Sequence, residues 1–110
     1  MPEAEQVPYY RSTLDEIDKI IKDSKPEIRP DENGLENGNI EGYTLWMTSQ
    51  IRAMNHDSQE IALKAARWVG YVLRMVEEKG YWDNERSREL IRGDISQQNH
   101  ISFEEHTKQA

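Results

Sequence analysis

The chain has no cysteine. Disulfides, thiolate metal sites and thiol nucleophiles are therefore excluded. No apolar run approaches the ~20 residues that a membrane span requires. The first residues, MPEAEQVPYY, lack the positive start and apolar stretch of a secretory signal. A cytoplasmic protein is the expectation. Aliphatic residues are scarce as well: Ile, Leu, Val and Phe account for 21 of 110 residues, just under the share at which highly charged chains tend toward disorder. Their placement offsets the shortage, because 19 of the 39 apolar or aromatic residues fall between Tyr43 and Val76. A single domain with a folded centre and looser flanks is expected.

The formal net charge is −7 and unevenly spread: residues 23–42 contribute −4, residues 43–80 contribute +1, and each flank contributes −2. Repulsion from phosphate argues against direct nucleic-acid binding.

Four helices are predicted. Thr13 to Glu16 has the spacing of a capping box, and Leu14, Ile17, Ile20 and Ile21 form one stripe before Pro26. The first helix is therefore placed at about 13–24, after an N-terminal arm over 1–12. Residues 25–42 hold two prolines, three glycines and three asparagines, and read as a long mobile acidic loop. Their Asn33-Gly34 and Asn37-Gly38 pairs favour positive φ. Tyr43, Met47, Ile51 and Met54 share a helical stripe. Tyr43, Leu45 and Met47 also alternate as a strand would, but no partner strand is evident, so helix is preferred over 43–55.

The third helix, about 58–79, dominates. Asp57 serves as its expected N-cap, and Ile61, Ala65, Trp68, Val69, Val72, Leu73 and Val76 occupy one apolar arc. Burying five or six of these side chains is worth on the order of 10 kcal/mol before entropy is subtracted. Gly70 costs ~1 kcal/mol relative to alanine and lies off the arc, where it permits a close helix crossing without demanding one. Gly80 is the expected left-handed stop. Asp83 caps a fourth helix over 84–92, with Glu85–Arg88 and Glu89–Arg92 as opposite-charge pairs on its wet face. Gly93 is read as its stop and 94–110 as a frayed polar tail, with Ile95, Ile101 and Phe103 as isolated anchors. The expected fold class is all-α: a small three- to four-helix bundle with a long acidic loop and frayed termini.

No candidate for catalysis outweighs its structural explanation. His56-Asp57 looks like the metal-binding dipeptide of HD-type phosphohydrolases, yet a turn residue beside a helix cap explains it without chemistry. No HExxH spacing exists, and no glutamate lies three residues before a histidine. Glu77, Glu78, Asp83, Glu85 and Glu89 cluster where magnesium-dependent helical nucleotide pyrophosphatases hold their metal. The third helix offers only adjacent glutamates, so solvated helix ends account for them more simply. Nucleophile elbows and phosphate-binding glycine loops are absent. Arg92-Gly93-Asp94 spells an adhesion tripeptide but reads as a helix stop.

Lys64, Arg67, Tyr71 and Arg74 form a basic-aromatic row bracketed by Glu60 and Glu78. A solvated face accounts for it, and a docked protein could use the same tyrosine and arginines. Trp46, Trp68, Tyr81 and Trp82 add an aromatic surplus. The run RWVGYV, followed by KGYW and a short capped helix, resembles small proteins of phages and prophages; the resemblance implies no activity.

The expected function is a non-enzymatic protein-interaction or regulatory module without cofactor or metal. Its partner is another protein or a second copy in a homodimer, contacted through Arg67, Tyr71, Arg74, Tyr81 and Trp82. Two competing classes are an acidic mimic of nucleic acid that inhibits a nuclease or DNA-binding protein, and a magnesium-dependent nucleotide pyrophosphohydrolase.

Overall fold

The computed structural model describes residues 10–55 and 57–109, with side chains as far as Ser96. Five helices follow in order: α1 (Arg11–Ser24), α2 (Gly34–Asn37), α3 (Ile40–Ala53), α4 (Gln59–Glu78) and α5 (Asn84–Gln109). No strand occurs among the described residues. The protein is all-helical, and Tyr43–Ala53 is helix rather than strand. No helix among these residues is long and apolar enough to cross a membrane.

α4 organises the core. Ala65, Val69, Val72, Leu73 and Val76 of the predicted arc are buried, joined by Met75, while Ile61 and Trp68 sit half-buried at its margins. They pack in one cluster with Leu14, Ile17 and Ile21 of α1 and Leu45, Met47 and Ile51 of α3. α4 meets α3 over its largest interface. Its N-cap is Ser58, not Asp57: the Ser58 hydroxyl accepts from the Ile61 N–H, while the Asp57 N–H donates to the Asn55 side chain. Its C-terminus closes as expected. Gly80 adopts φ 83°, and the Gly80 and Tyr81 N–H groups donate back to the carbonyls of Glu77 and Val76, which is the Schellman pattern.

α1 begins two residues before its predicted start, and the capping box does not form. Thr13 lies inside the helix, fully buried, and its hydroxyl donates to Asp94 Oδ2 at 2.6 Å. The Ser12 and Thr13 N–H groups donate to the same carboxylate at 3.3 and 3.0 Å. A residue 81 positions away thus supplies the acceptor that a local N-cap would have supplied. Tyr10, at the cap position, has φ 58° and makes no side-chain cap bond. This contact corrects the reading of Gly93 as a stop. Gly93 keeps a negative φ, and α5 runs through it to Gln109, so 94–109 is a continuation of helix rather than a tail. The Asp94 contacts to α1 fall just past Gly93 and help offset the ~1 kcal/mol cost of a mid-helix glycine. The anchors Ile101 and Phe103 have side chains outside the described residues.

The connection from α1 to α3 is built, not loose. Asp31 accepts from the Asn33 N–H and from the Asn37 and Asn39 side chains, and its own N–H donates to the Gly42 carbonyl. Asn39 caps α3 by accepting from the Gly42 N–H at 3.0 Å. The two Asn-Gly pairs serve different ends. Gly38 takes the positive φ (74°) that ends α2, whereas Gly34 gives close approach: an added Cβ would meet the Asn39 carbonyl oxygen at 2.4 Å. Glycine is demanded there by contact rather than by φ.

Replacing Asp94 tests the long-range cap. Asp94→Ala strips the acceptor from two backbone N–H groups and a buried hydroxyl, with an expected loss of about 1–3 kcal/mol. Asp94→Asn keeps a carbonyl acceptor and should lose less. Urea titration followed by circular dichroism reads both, and an unchanged midpoint for the alanine variant would refute the role.

Candidate functional site

The outer face of α4 is left open by the described residues. Arg67, Tyr71 and Arg74 lie along it, all exposed, with Tyr71 at 52%. Arg74 pairs with Glu78 at 3.3 Å. Lys64 lies over the Trp68 ring, 5.4 Å from its centroid, and Trp68 in turn meets Trp46 across the α3–α4 interface at 6.3 Å.

Beside this row, on the α2 flank, runs a groove of about 390 Å³ lined by Leu35, Ile40, Tyr71, Arg74, Met75 and neighbours. Leu35 is 46% exposed. Gly34 brings α2 hard against the start of α3, and the turn held by Asp31 leaves Leu35 facing outward. Sequence reasoning missed Leu35 and Ile40. The signal available was a lone leucine between two Asn-Gly turns, where polar residues would serve the turns equally well.

Tyr81 and Trp82 do not join this row. The Tyr81 hydroxyl donates to Glu41 at 3.0 Å. The Trp82 indole N–H donates to Ser87 Oγ at 3.0 Å, and Arg86 sits 5.9 Å from its ring centroid. Both aromatics are half-buried against the core. The five residues expected to contact a partner therefore separate into an exposed trio and a structural pair.

Glu41 was read as part of the acidic loop. It lies instead in the first turn of α3, 5% exposed, and is reached by Lys25 Nζ at 3.2 Å and Lys79 Nζ at 3.7 Å. Burial pushes its carboxyl upward. Its own backbone N–H, the Tyr81 hydroxyl, Lys25 and Lys79 together outweigh that push and hold it below the ordinary glutamate range. Tyr81 moves the other way: burial raises it, and so does the adjacent carboxylate. A second tie joins α1 to α3, where Arg52 bridges Asp15 and Asp18, each at 2.7 Å.

On the α5 flank of α4 lies a second cleft, of about 300 Å³, walled by Gly70 and Leu73 on one side and by Ser87, Arg88, Ile91 and Arg92 on the other. Of the five carboxylates in the candidate magnesium cluster, all but Glu85 are engaged separately. Glu77 accepts from the Asn84 side chain, Glu78 pairs with Arg74, Glu89 pairs with Arg86, and Asp83 caps α5 through the Arg86 N–H. Among the described residues no three histidine or acidic side chains converge. His56 lies outside the described residues, as do the side chains of His100 and His106.

Comparison with protein-family models, curated proteins and solved structures found no match.

Glu41 makes stability depend on pH in a stated direction. Its folded-state value is depressed, so its contribution is complete above the unfolded glutamate value of about 4.3 and is lost as pH falls through the depressed one. Wild-type stability should therefore decline more steeply on acidification below about pH 5 than that of Glu41→Gln. Parallel urea titrations across this range read the difference; equal slopes would refute it.

Proposed function

We propose that the chain is a non-enzymatic docking protein, and that the groove between α2 and α4 seats an apolar anchor of a partner protein. One observation carries this reading. Three large hydrophobic residues are exposed among those described, Leu35, Leu63 and Tyr71, and two of them line this one groove. Single exposed hydrophobics are ordinary; two facing each other over a shared floor of Ile40 and Met75 are a surface that gains by being covered. Tyrosine supplies wide contact area at small entropic cost, and Arg74, Glu78 and Lys79 give the groove the polar rim typical of such interfaces.

The acidic-mimic reading draws less support. Within residues 23–42, Asp31 is occupied by asparagine and backbone donors and Glu41 is buried between two lysines. The charges of that segment hold the fold together in part, rather than forming a display of anions. The nucleotide-hydrolase reading has no converging carboxylates among the described residues to build on.

A photo-crosslinking amino acid at position 71, with a control at exposed Lys19, identifies what occupies the groove in cells. The captured partner's affinity should then fall about 30-fold or more in Leu35→Ser/Tyr71→Ala, the effect of losing one hot-spot residue or more. Both positions are exposed, so the melting temperature should hardly move. Equal crosslinking at 71 and 19, or unchanged affinity in the double variant, would refute the docking role. A crosslink at twice the chain mass would name a second copy as the partner.

A further inference from the structure

The cleft between α4 and α5 carries an inference separate from the groove above, because it lies on the other flank of α4 and has a different chemistry. Arg88 and Arg92 stand one turn apart on α5 and both line it. Neither has an ion-pair or hydrogen-bond partner among the described residues, and Arg67, one turn before Gly70 on α4, is in the same state. The Glu85–Arg88 and Glu89–Arg92 pairs expected from the sequence are not made: Glu89 pairs with Arg86 instead, at 3.6 Å. Arg52, Arg74 and Arg86 are paired, whereas exposed Arg29, in the α1–α2 connection, also makes no ion pair among the described residues.

Gly70 adds an independent observation. It sits mid-α4 on the cleft wall, and a Cβ built there would meet nothing within 4 Å. No contact among the described residues requires a glycine at that point, although glycine weakens the helix that holds the core. Below the arginines, Leu73 and Ile91 give the cleft an apolar floor.

We propose that this cleft receives an acidic α-helix of a partner protein. The helix crosses α4 at Gly70, where the missing side chain lets two backbones approach closely, and sets carboxylates one turn apart against Arg88 and Arg92. Spacing of four residues on the incoming helix matches the four-residue spacing of the two arginines. Guanidinium forks donate to carboxylates in bidentate geometry, which fixes register as well as adding attraction. A nucleic-acid strand fits worse. Glu77 stands at the Asn84 end of the same cleft and Glu78 just beyond it, and a continuous phosphate backbone would have to pass them. Discrete carboxylates on a helix need not.

The test is selection from a displayed library of helical peptides, unbiased in charge, against the full-length protein. Enriched peptides are expected to carry acidic pairs four residues apart, and to shift the backbone amides of Gly70, Leu73 and Ser87 rather than that of Leu35. Their affinity should fall more than tenfold in Arg88→Glu/Arg92→Glu and in Gly70→Leu, fall with added salt, and be only partly kept in Arg88→Lys/Arg92→Lys, which retains the charge but not the bidentate fork. All three substituted positions are exposed, and an unchanged melting temperature shows that each variant is folded. No enrichment, enrichment without acidic bias, or shifts confined to the Leu35 groove would overturn the proposal; the last outcome would leave the docking role of that groove intact. Binding of a single-stranded RNA oligonucleotide at the same amides, tighter than any selected peptide, would also overturn it.

Discussion

Burial of one face of α4 is the constraint to which the other elements answer. Val69, Val72 and Val76 are essentially removed from solvent, and α1 and α3 supply the side chains that cover them. In so small and highly charged a chain there is little other apolar surface to hide. Most of α4's helical stability comes from this packing of its apolar face rather than from intrinsic propensity. α3 can present both a broad apolar face and two buried threonines to the same core because each hydroxyl has an acceptor: the Ile40 carbonyl for Thr44, and Asp18 Oδ1 at 2.7 Å or the Leu45 carbonyl at 2.9 Å for Thr48.

Two buried carboxylates then decide how the helices are tied. Asp94 closes the N-terminus of α1, and Glu41 sits in the first turn of α3. Both lie where the partial positive charge of a helix start favours an anion. Each also spans sequence-distant elements: Asp94 joins α5 to α1, and Glu41 gathers Lys25, Lys79 and Tyr81 from beyond the ends of α1 and α4. The acidic excess of the chain is therefore partly structural. Net charge alone gives a poor account of what such residues do.

The outer side of α4 stands apart from this economy of contacts. On one flank exposed apolar side chains face each other, and on the other Arg88 and Arg92 make no ion pair among the described residues. Glycine at position 70 leaves the ridge between them low. α4 is thus packed on one face, and its two flanks differ in chemistry, one apolar and the other lined by arginines.

Much of this was legible in residue order. The helical class, the buried face of α4 and its glycine stop follow from 3.6-residue periodicity and from the φ that Gly80 alone tolerates, both of which are local properties. Tyr71 and Arg74 were legible as surface residues because they fall opposite the apolar arc. Other features depend on contacts that no window of sequence contains. Thr13 looked like a cap but is a buried donor, because its acceptor arrives from α5. Gly93 looked like a stop but lies mid-helix, for the same reason. Leu35 became half of a groove only once Gly34 pressed α2 against α3. Local backbone preference specified which segments coil and which side of α4 turns inward; the meeting of distant charges, donors and close backbones settled where the helices end and which side chains were left facing out.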